Sequence, residues 1–437
     1  MNTTQGQNDA GGTLERTKRL TPRAMGGALR RRTAVAAGAF VIAASLAAAA
    51  LQQSAIAAGP SVQEASVGGG LARDPATGGL CLSLGSACIT VAPVPVLDGW
   101  IPGASITVGR QALKWGPGVS GSLLLSGCAP LDGIALAVEP GRLRYVQVAA
   151  ARDVARGRWL LAHRIEGRAA PGMLVGISEA VAVSGGFRLR PFYLMPGCPY
   201  FLAQHLNMQD DRSQDWWSNV LAAVDASVAL SNHVTVYGEF LADDFPWAAS
   251  TRGRVPYMIG ALAGIRFDEP PGLEPYRAVV EYVRINNYVY SHKNPDNTYV
   301  VSGGTLIGHP LGPDADALYL FVARPLNGGL FGGLCCSMEV TGRLGYERHG
   351  EGRPGHPWDP SEGVSHEFLS GVVETRKILG VTLEAVIGPG VQAAPGSART
   401  TLRLATVLED IDNAGHVASA KALEAGIRLS LRLAWAR

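Results

Sequence analysis

Beyond Leu51 the chain alternates apolar and polar residues with a period of two, the mark of β-strands whose two faces meet different surroundings. The C-terminus carries the clearest case. Ile427, Leu429, Leu431, Leu433 and Trp435 share one face, and Arg428, Ser430, Arg432 and Ala434 share the other. In the same way Val381, Leu383, Ala385 and Ile387 oppose Thr382, Glu384 and Val386, and Leu402, Leu404, Thr406 and Leu408 oppose Arg403, Ala405, Val407 and Glu409. Val234 and Val236 alternate with Thr235, Tyr237 and Glu239. Turn clusters such as Gly185-Gly186, Pro270-Pro271-Gly272, Gly388-Pro389-Gly390 and Asp412-Asn413-Ala414-Gly415 cut the pattern into segments. The spacing predicts about sixteen to eighteen antiparallel strands of roughly ten residues each. Longer polar stretches interrupt them at 205–217, 292–316 and 350–365.

Alternating strands, short turns and long polar loops describe an all-β transmembrane barrel, in which closure satisfies every backbone donor and acceptor. A secreted soluble sandwich or propeller also alternates, but it turns charged residues outward. Here the outward positions are Leu, Ile and Val. Composition agrees: 17% of the 437 residues are charged and 47% are hydrophobic, against about 25% charged in an ordinary soluble domain. The final strand ends in Leu433-Ala434-Trp435, like the aromatic-bearing last strand of outer-membrane barrels, with Arg437 in place of a terminal aromatic.

The first residues read differently. Arg30, Arg31 and Arg32 precede an uncharged Ala-rich run from Ala34 to Leu51 and the small-residue string Ser54-Ala55-Ile56-Ala57-Ala58. That order predicts a cleaved secretory signal over residues 1–58, with Met25 as the alternative start. A membrane anchor is the competing reading. The leader carries Arg16, Lys18, Arg19, Arg23, Arg30, Arg31 and Arg32 against Asp9 and Glu15, so its removal takes the formal charge from +2 to −3. No basic field then points to nucleic acid. The six cysteines, Cys81, Cys88, Cys128, Cys198, Cys335 and Cys336, all follow the leader. Export permits disulfides; Cys81 with Cys88 is the local pair expected, since adjacent Cys335 and Cys336 point to opposite faces of a strand.

Five strings go beyond alternation: Gly109-Arg110-Gln111-Ala112-Leu113-Lys114-Trp115-Gly116-Pro117-Gly118 with Ser122-Leu123-Leu124-Leu125-Ser126; Leu161-Ala162-His163-Arg164-Ile165-Glu166 with Ile177-Ser178-Glu179-Ala180; Tyr237-Gly238-Glu239-Phe240-Leu241 with Asp243-Asp244-Phe245; 281–292, beginning Glu281-Tyr282-Val283-Arg284; and 306–316, beginning Leu306-Ile307-Gly308-His309. In order and spacing they resemble the Wzi family of capsule-assembly proteins, well from about Val108 to Tyr319 and loosely elsewhere. The resemblance implies an outer-membrane barrel that binds capsular polysaccharide in a lectin-like way, without catalysis or cofactor. Its expected partners are surface polysaccharide and outer-membrane lipid, and it is expected to be a monomer. The barrel is placed at 109–437. Residues 59–108 are left as a short segment, in which the family's helical N-terminal part is short or absent.

Charges in strands should avoid lipid, where each costs up to several kcal/mol. Arg110, Lys114, Arg164, Glu166, Glu179, Glu239, Asp243, Asp244, Glu281 and Arg284 are therefore expected to face the lumen and pair there. Sugar rings, with one apolar face and a rim of hydroxyls, are bound by aromatic faces beside amides and carboxylates. Three groups fit: Trp216 and Trp217; Tyr290, His292 and Asn294; and Trp358 with His356 and Asp359. Trp216, Trp217 and Tyr288 fit an interfacial girdle better, which leaves Trp358 the leading contact. His309, Asp314 and Asp316 are a weak cation site. There is no G-x-S-x-G, H-E-x-x-H or P-loop string. The rival readings are a porin or polysaccharide-export channel and a barrel hydrolase.

Overall fold

The structure is a computed structural model. It describes residues 104–184, 191–202, 218–244, 253–269, 276–326, 335–364, 368–387 and 398–436, and the backbone of 62–73 and 80–91. The predicted leader, Trp216 and Trp217 lie outside the described residues.

Among the described residues sixteen antiparallel strands close into a barrel. They are β1 (Val62–Arg73), β2 (Leu80–Val91), β3 (Ser105–Gln111), β6 (Leu131–Val138), β7 (Leu143–Asp153), β8 (Arg158–Ala170), β9 (Met173–Val183), β10 (Ser218–Ala229), β11 (Val234–Asp244), β12 (Met258–Asp268), β13 (Arg277–Ile285), β14 (Ala315–Leu326), β15 (Cys335–His349), β16 (Glu374–Ile387), β17 (Ala398–Asp412) and β18 (Lys421–Ala436). A small ribbon, β4 (Lys114–Trp115) with β5 (Leu125–Ser126), stands apart. Closure comes from β1 against β18, with Glu64 opposite Ala436 and Leu71 opposite Leu429. The barrel thus begins at Val62, not at Gly109 as the sequence pattern suggested. The glycine run Gly68-Gly69-Gly70 dilutes the alternation of β1 and hides it. Cys81 and Cys88 both lie in β2. Seven residues of extended chain separate them by about 23 Å, far beyond disulfide reach, so they do not bridge each other.

Connections alternate between the two ends. At the end where β1 starts and β18 finishes run turns such as 139–142, 171–172 and 230–233. At the opposite end run 112–130, 286–314 and the described residues of 350–373. Of the long polar stretches, 292–316 and the described part of 350–365 therefore lie toward one mouth, while 205–217 falls outside the described residues.

The outward wall follows from alternation and register. Val228, Val236, Ile265, Val280, Leu320, Leu344, Leu379 and Leu408 stand side by side across eight successive strands, β10 to β17. None of them is buried in the protein. Such a band has no reason to exist in water and fits hydrocarbon. Inside, an apolar core runs from Ala135 and Val146 through Leu160, Leu221, Leu262 and Val283 to Tyr319, and it includes Leu123, Leu124 and Leu125 of the 112–130 connection.

Leu344→Arg, at the middle of this band, is expected to destabilise the folded barrel by about 2–4 kcal/mol. Urea unfolding in lipid vesicles measures it, with Thr341→Arg on the lumen face as the milder comparison.

Candidate functional site

The loop end is filled in layers. The deepest is the plug, residues 112–130. Its two ends pair as the β4–β5 ribbon, and for the backbone between them two wall carboxylates serve as acceptors. Glu239 of β11 accepts the N–H groups of Gly118 at 2.8 Å and Leu123 at 2.7 Å. Glu281 of β13 accepts those of Val119 at 2.6 Å and Ser120 at 2.8 Å, together with the hydroxyls of Ser120 and Tyr237. Both carboxylates are buried, a state tolerated only when the acceptor sites are filled. The Trp115-Gly116-Pro117-Gly118 string now has a cause. Gly116 has φ +131°, and a Cβ there would collide with the Glu239 carboxylate.

The lid, residues 286–314, covers the plug. Tyr290 is fully buried; its hydroxyl donates to Leu123 O at 2.6 Å and accepts the N–H of His309. His309 Nδ1 accepts the Leu311 N–H, and Nε2 lies 3.0 Å from Ser120 Oγ. With Nδ1 an acceptor, Nε2 carries the proton and donates. The pair is therefore a structural tie, not a serine and its general base. Across the lumen, Arg152 of β7 donates to the carbonyls of Asp296 at 2.8 Å and Thr298 at 2.7 Å. Arg158 pairs with Asp296, and Asn219 reaches the Asn297 carbonyl. The lid thus spans the mouth from β13 to β7.

The outer loop, residues 350–373, lies above. Tyr288 donates to Glu362 at 2.7 Å, and burial with that carboxylate pushes its phenol up. Ser291 joins lid and outer loop through Arg353 O and Gly355 N. Asp359 caps the turn Pro360–Glu362, and its bonds to Ser361 hold it below the usual carboxylate range. Trp358 is half-buried, with its indole N–H on Gly363 O at 2.6 Å, while the neighbouring His356 and Asp359 are exposed. This loop collects Trp358, His356, Asp359 and Glu362 on the outermost layer.

Other predicted residues lie elsewhere. Tyr290 is a rivet between lid and plug and offers no face to a sugar. His292 Nδ1 accepts the Asn294 N–H, burial lowers its basicity, and Asn294 caps the turn Pro295–Asn297. Tyr288 is buried within the lid and stands in no interfacial girdle. His309, Asp314 and Asp316 do not converge. Asp314 accepts from Ser370 and Gly352, and Asp316 pairs with Arg348.

The expected lumen charges divide. Arg164, Glu166, Glu239, Asp243 and Glu281 do point inward. Arg164 pairs with Asp225 and with Glu166 at 2.8 Å, and Asp243 accepts the Tyr290 N–H. Lys114 lies exposed in the ribbon, and the Asp244 side chain is outside the described residues. Three are outward. Arg284 shares its face with exposed Val280 and Tyr282. Arg110 pairs with Asp132 on the face of Val108 and Ile134. Glu179 shares the face of exposed Ile177, yet it is shielded. Residues 191–202 form a strap over the outer wall of β6 to β10 and pack Tyr193, Leu194 and Tyr200 on Leu161, Val181 and Val220. Beneath the strap, Glu179 accepts the Tyr200 N–H at 2.6 Å and lies 3.2 Å from His163 Nε2, and Gln147 bonds Tyr193 O. The lumen expectation treated every strand charge as forbidden outside; a rim position or a protein cover removes that penalty. Arg152 was not foreseen, because one arginine near a strand end has no spacing signal.

A family model described as capsule assembly protein Wzi matches residues 99–345. Among solved structures, Wzi of Escherichia coli, an outer-membrane protein involved in group 1 capsule assembly and described as a carbohydrate-binding β-barrel, superposes with a TM-score of 0.50 at 14% identity, over 92% of this chain and 89% of that one. OccK10 of Pseudomonas aeruginosa superposes at 0.44 with 10% identity, over 85% and 98%. No curated protein sequence matches.

Glu239→Ala with Glu281→Ala strands four plug N–H groups, at about 1–3 kcal/mol each. The double variant is expected to give current steps in planar bilayers that the parent chain lacks. Burial also lowers the pKa of His309 to about 3. Only the opened form gains its proton between the ordinary value near 6.5 and about 3, so docking of lid on plug weakens as pH falls through that window. Thermal melting should drop from pH 7 to 4.5, with a shallower slope in His309→Gln.

Proposed function

This chain belongs to the Wzi family of capsule-assembly proteins, and on that footing we propose that it is an outer-membrane barrel that holds surface polysaccharide at its loop end. The bonded loop end carries this reading. Plug, lid and outer loop are tied to one another and to the wall, and together they present an outward surface. A polymer too large to enter can lie across such a surface.

Trp358 offers the apolar ring face, and His356, Asp359 and Glu362 offer hydrogen-bonding groups for sugar hydroxyls. The loop is tied down before any ligand arrives, so little order is lost on binding. The chain acts by retention, as a monomer seated among outer-membrane lipids, with no covalent step. The Ser120–His309 pair supports this, since its imidazole lone pair is occupied by the Leu311 N–H.

Deleting the gene should move capsular polymer from the cell-associated fraction into the medium, and the parent chain should restore it. Polymer that stays wholly on the deleted cells would rule the function out. Trp358→Ala should weaken binding of purified polymer about tenfold, measured by calorimetry, while the barrel keeps its heat-dependent shift in gel migration.

A further inference from the structure

The outward face of β13 to β15 changes in three registered rows. Val280, Leu320 and Leu344 form the first, Tyr282, Leu318 and Tyr346 the second, and Arg284, Asp316 and Arg348 the third, nearest the loop end. Each step climbs roughly 6.5 Å along the strand. Hydrocarbon, interfacial aromatic and headgroup follow one another in this order across a leaflet. The third row therefore stands at headgroup level.

Its charges are unequal. Arg348 donates to Asp316 at 2.9 and 2.6 Å, and the Tyr282 hydroxyl donates to the same carboxylate at 3.0 Å. Arg284 lies 3.7 Å over the Phe368 ring and donates to Asn286, and among the described residues no carboxylate lies within ion-pair distance of it. Among the described residues the row thus holds one acid for two arginines, and that acid bonds Arg348. That acid is 4% exposed, while the Arg348 side chain is 43% exposed and Arg284 is also exposed. The cations face outward and the carboxylate sits behind them. Other charged places on the same rim differ. Lys377 is matched by Asp410 and Asp412, and Arg110 by Asp132, with the acids themselves in the open.

We propose that Arg284 and Arg348 bind the phosphate of an anionic glycolipid in the outer leaflet, whose acyl chains lie along Val280, Leu320 and Leu344. Guanidinium groups grip phosphate through paired N–H donors. Tyr282 and Tyr346 stand below at the sugar and glycerol level, and Phe368 keeps the Arg284 guanidinium flat. The proposal rests on the outer-membrane reading above.

The test uses the full chain in nonionic detergent, with thermal melting as the readout. The probes are the bisphosphorylated glucosamine-disaccharide lipid, phosphatidylcholine and inorganic phosphate. The bisphosphorylated lipid is expected to raise Tm by several degrees. Arg284→Gln with Arg348→Gln should lose more than half of that shift, and Lys377→Gln should keep it. Arg284→Lys with Arg348→Lys, which retains charge without the fork, should fall between and serves if the first pair folds poorly. An equal shift in the doubly substituted chain overturns the site. So does an equal shift from phosphatidylcholine, or from inorganic phosphate at the same concentration. Cell fractionation reports on the outer-membrane reading separately, so the two failures are distinguishable.

Discussion

A backbone N–H that enters hydrocarbon or a dry lumen must take its acceptor with it. In the wall the acceptor is the next strand, and the pairing of β1 with β18 leaves no edge. Between the two short strands of the plug no strand partner serves 118–123, and Glu239 and Glu281 supply acceptors from the wall itself. Everything above the plug depends on this arrangement. Tyr290 can rivet the lid because the Leu123 carbonyl is held in place, and the outer loop can rest on Tyr288 because the lid is fixed.

The wall charges take their roles from location more than from type. Glu281 and Arg284 are three residues apart in one strand, and each is tolerated for a different reason. Glu281 is buried and fully bonded. Arg284 stands exposed near the strand end, beside an aromatic ring. Arg164 is a third case, with Asp225 and Glu166 both in bonding range. A count of charged residues would treat the three alike.

Parity along β13 was legible in the sequence. Val280, Tyr282 and Arg284 fall on one face, and Glu281, Val283 and Ile285 on the other. What misdirected Arg284 was the rule that a strand charge must turn inward, which holds only within the hydrocarbon. The period of β16 to β18 was legible because each strand there spans the wall with little interruption. β1 was not, because its run Gly68-Gly69-Gly70 carries no face. The plug was visible as a string, Trp115 to Gly118 followed by three leucines. Its role was hidden because the acids that hold it lie more than a hundred residues away. Trp358 stood out by its company in a loop, whereas Tyr290 looked equally suitable and is fully enclosed.

The strap over β6 to β10 gives the barrel something a simple cylinder lacks. Over that arc the wall is two layers of protein, and among the described residues it is one elsewhere. Seen down its axis the molecule has a front and a back. A neighbour drifting in the plane of the bilayer meets peptide on one side and alkyl side chains on the other, so lateral packing at the cell surface is directional. A crowd of such barrels would carry an in-plane orientation set by twelve residues that never enter the lumen.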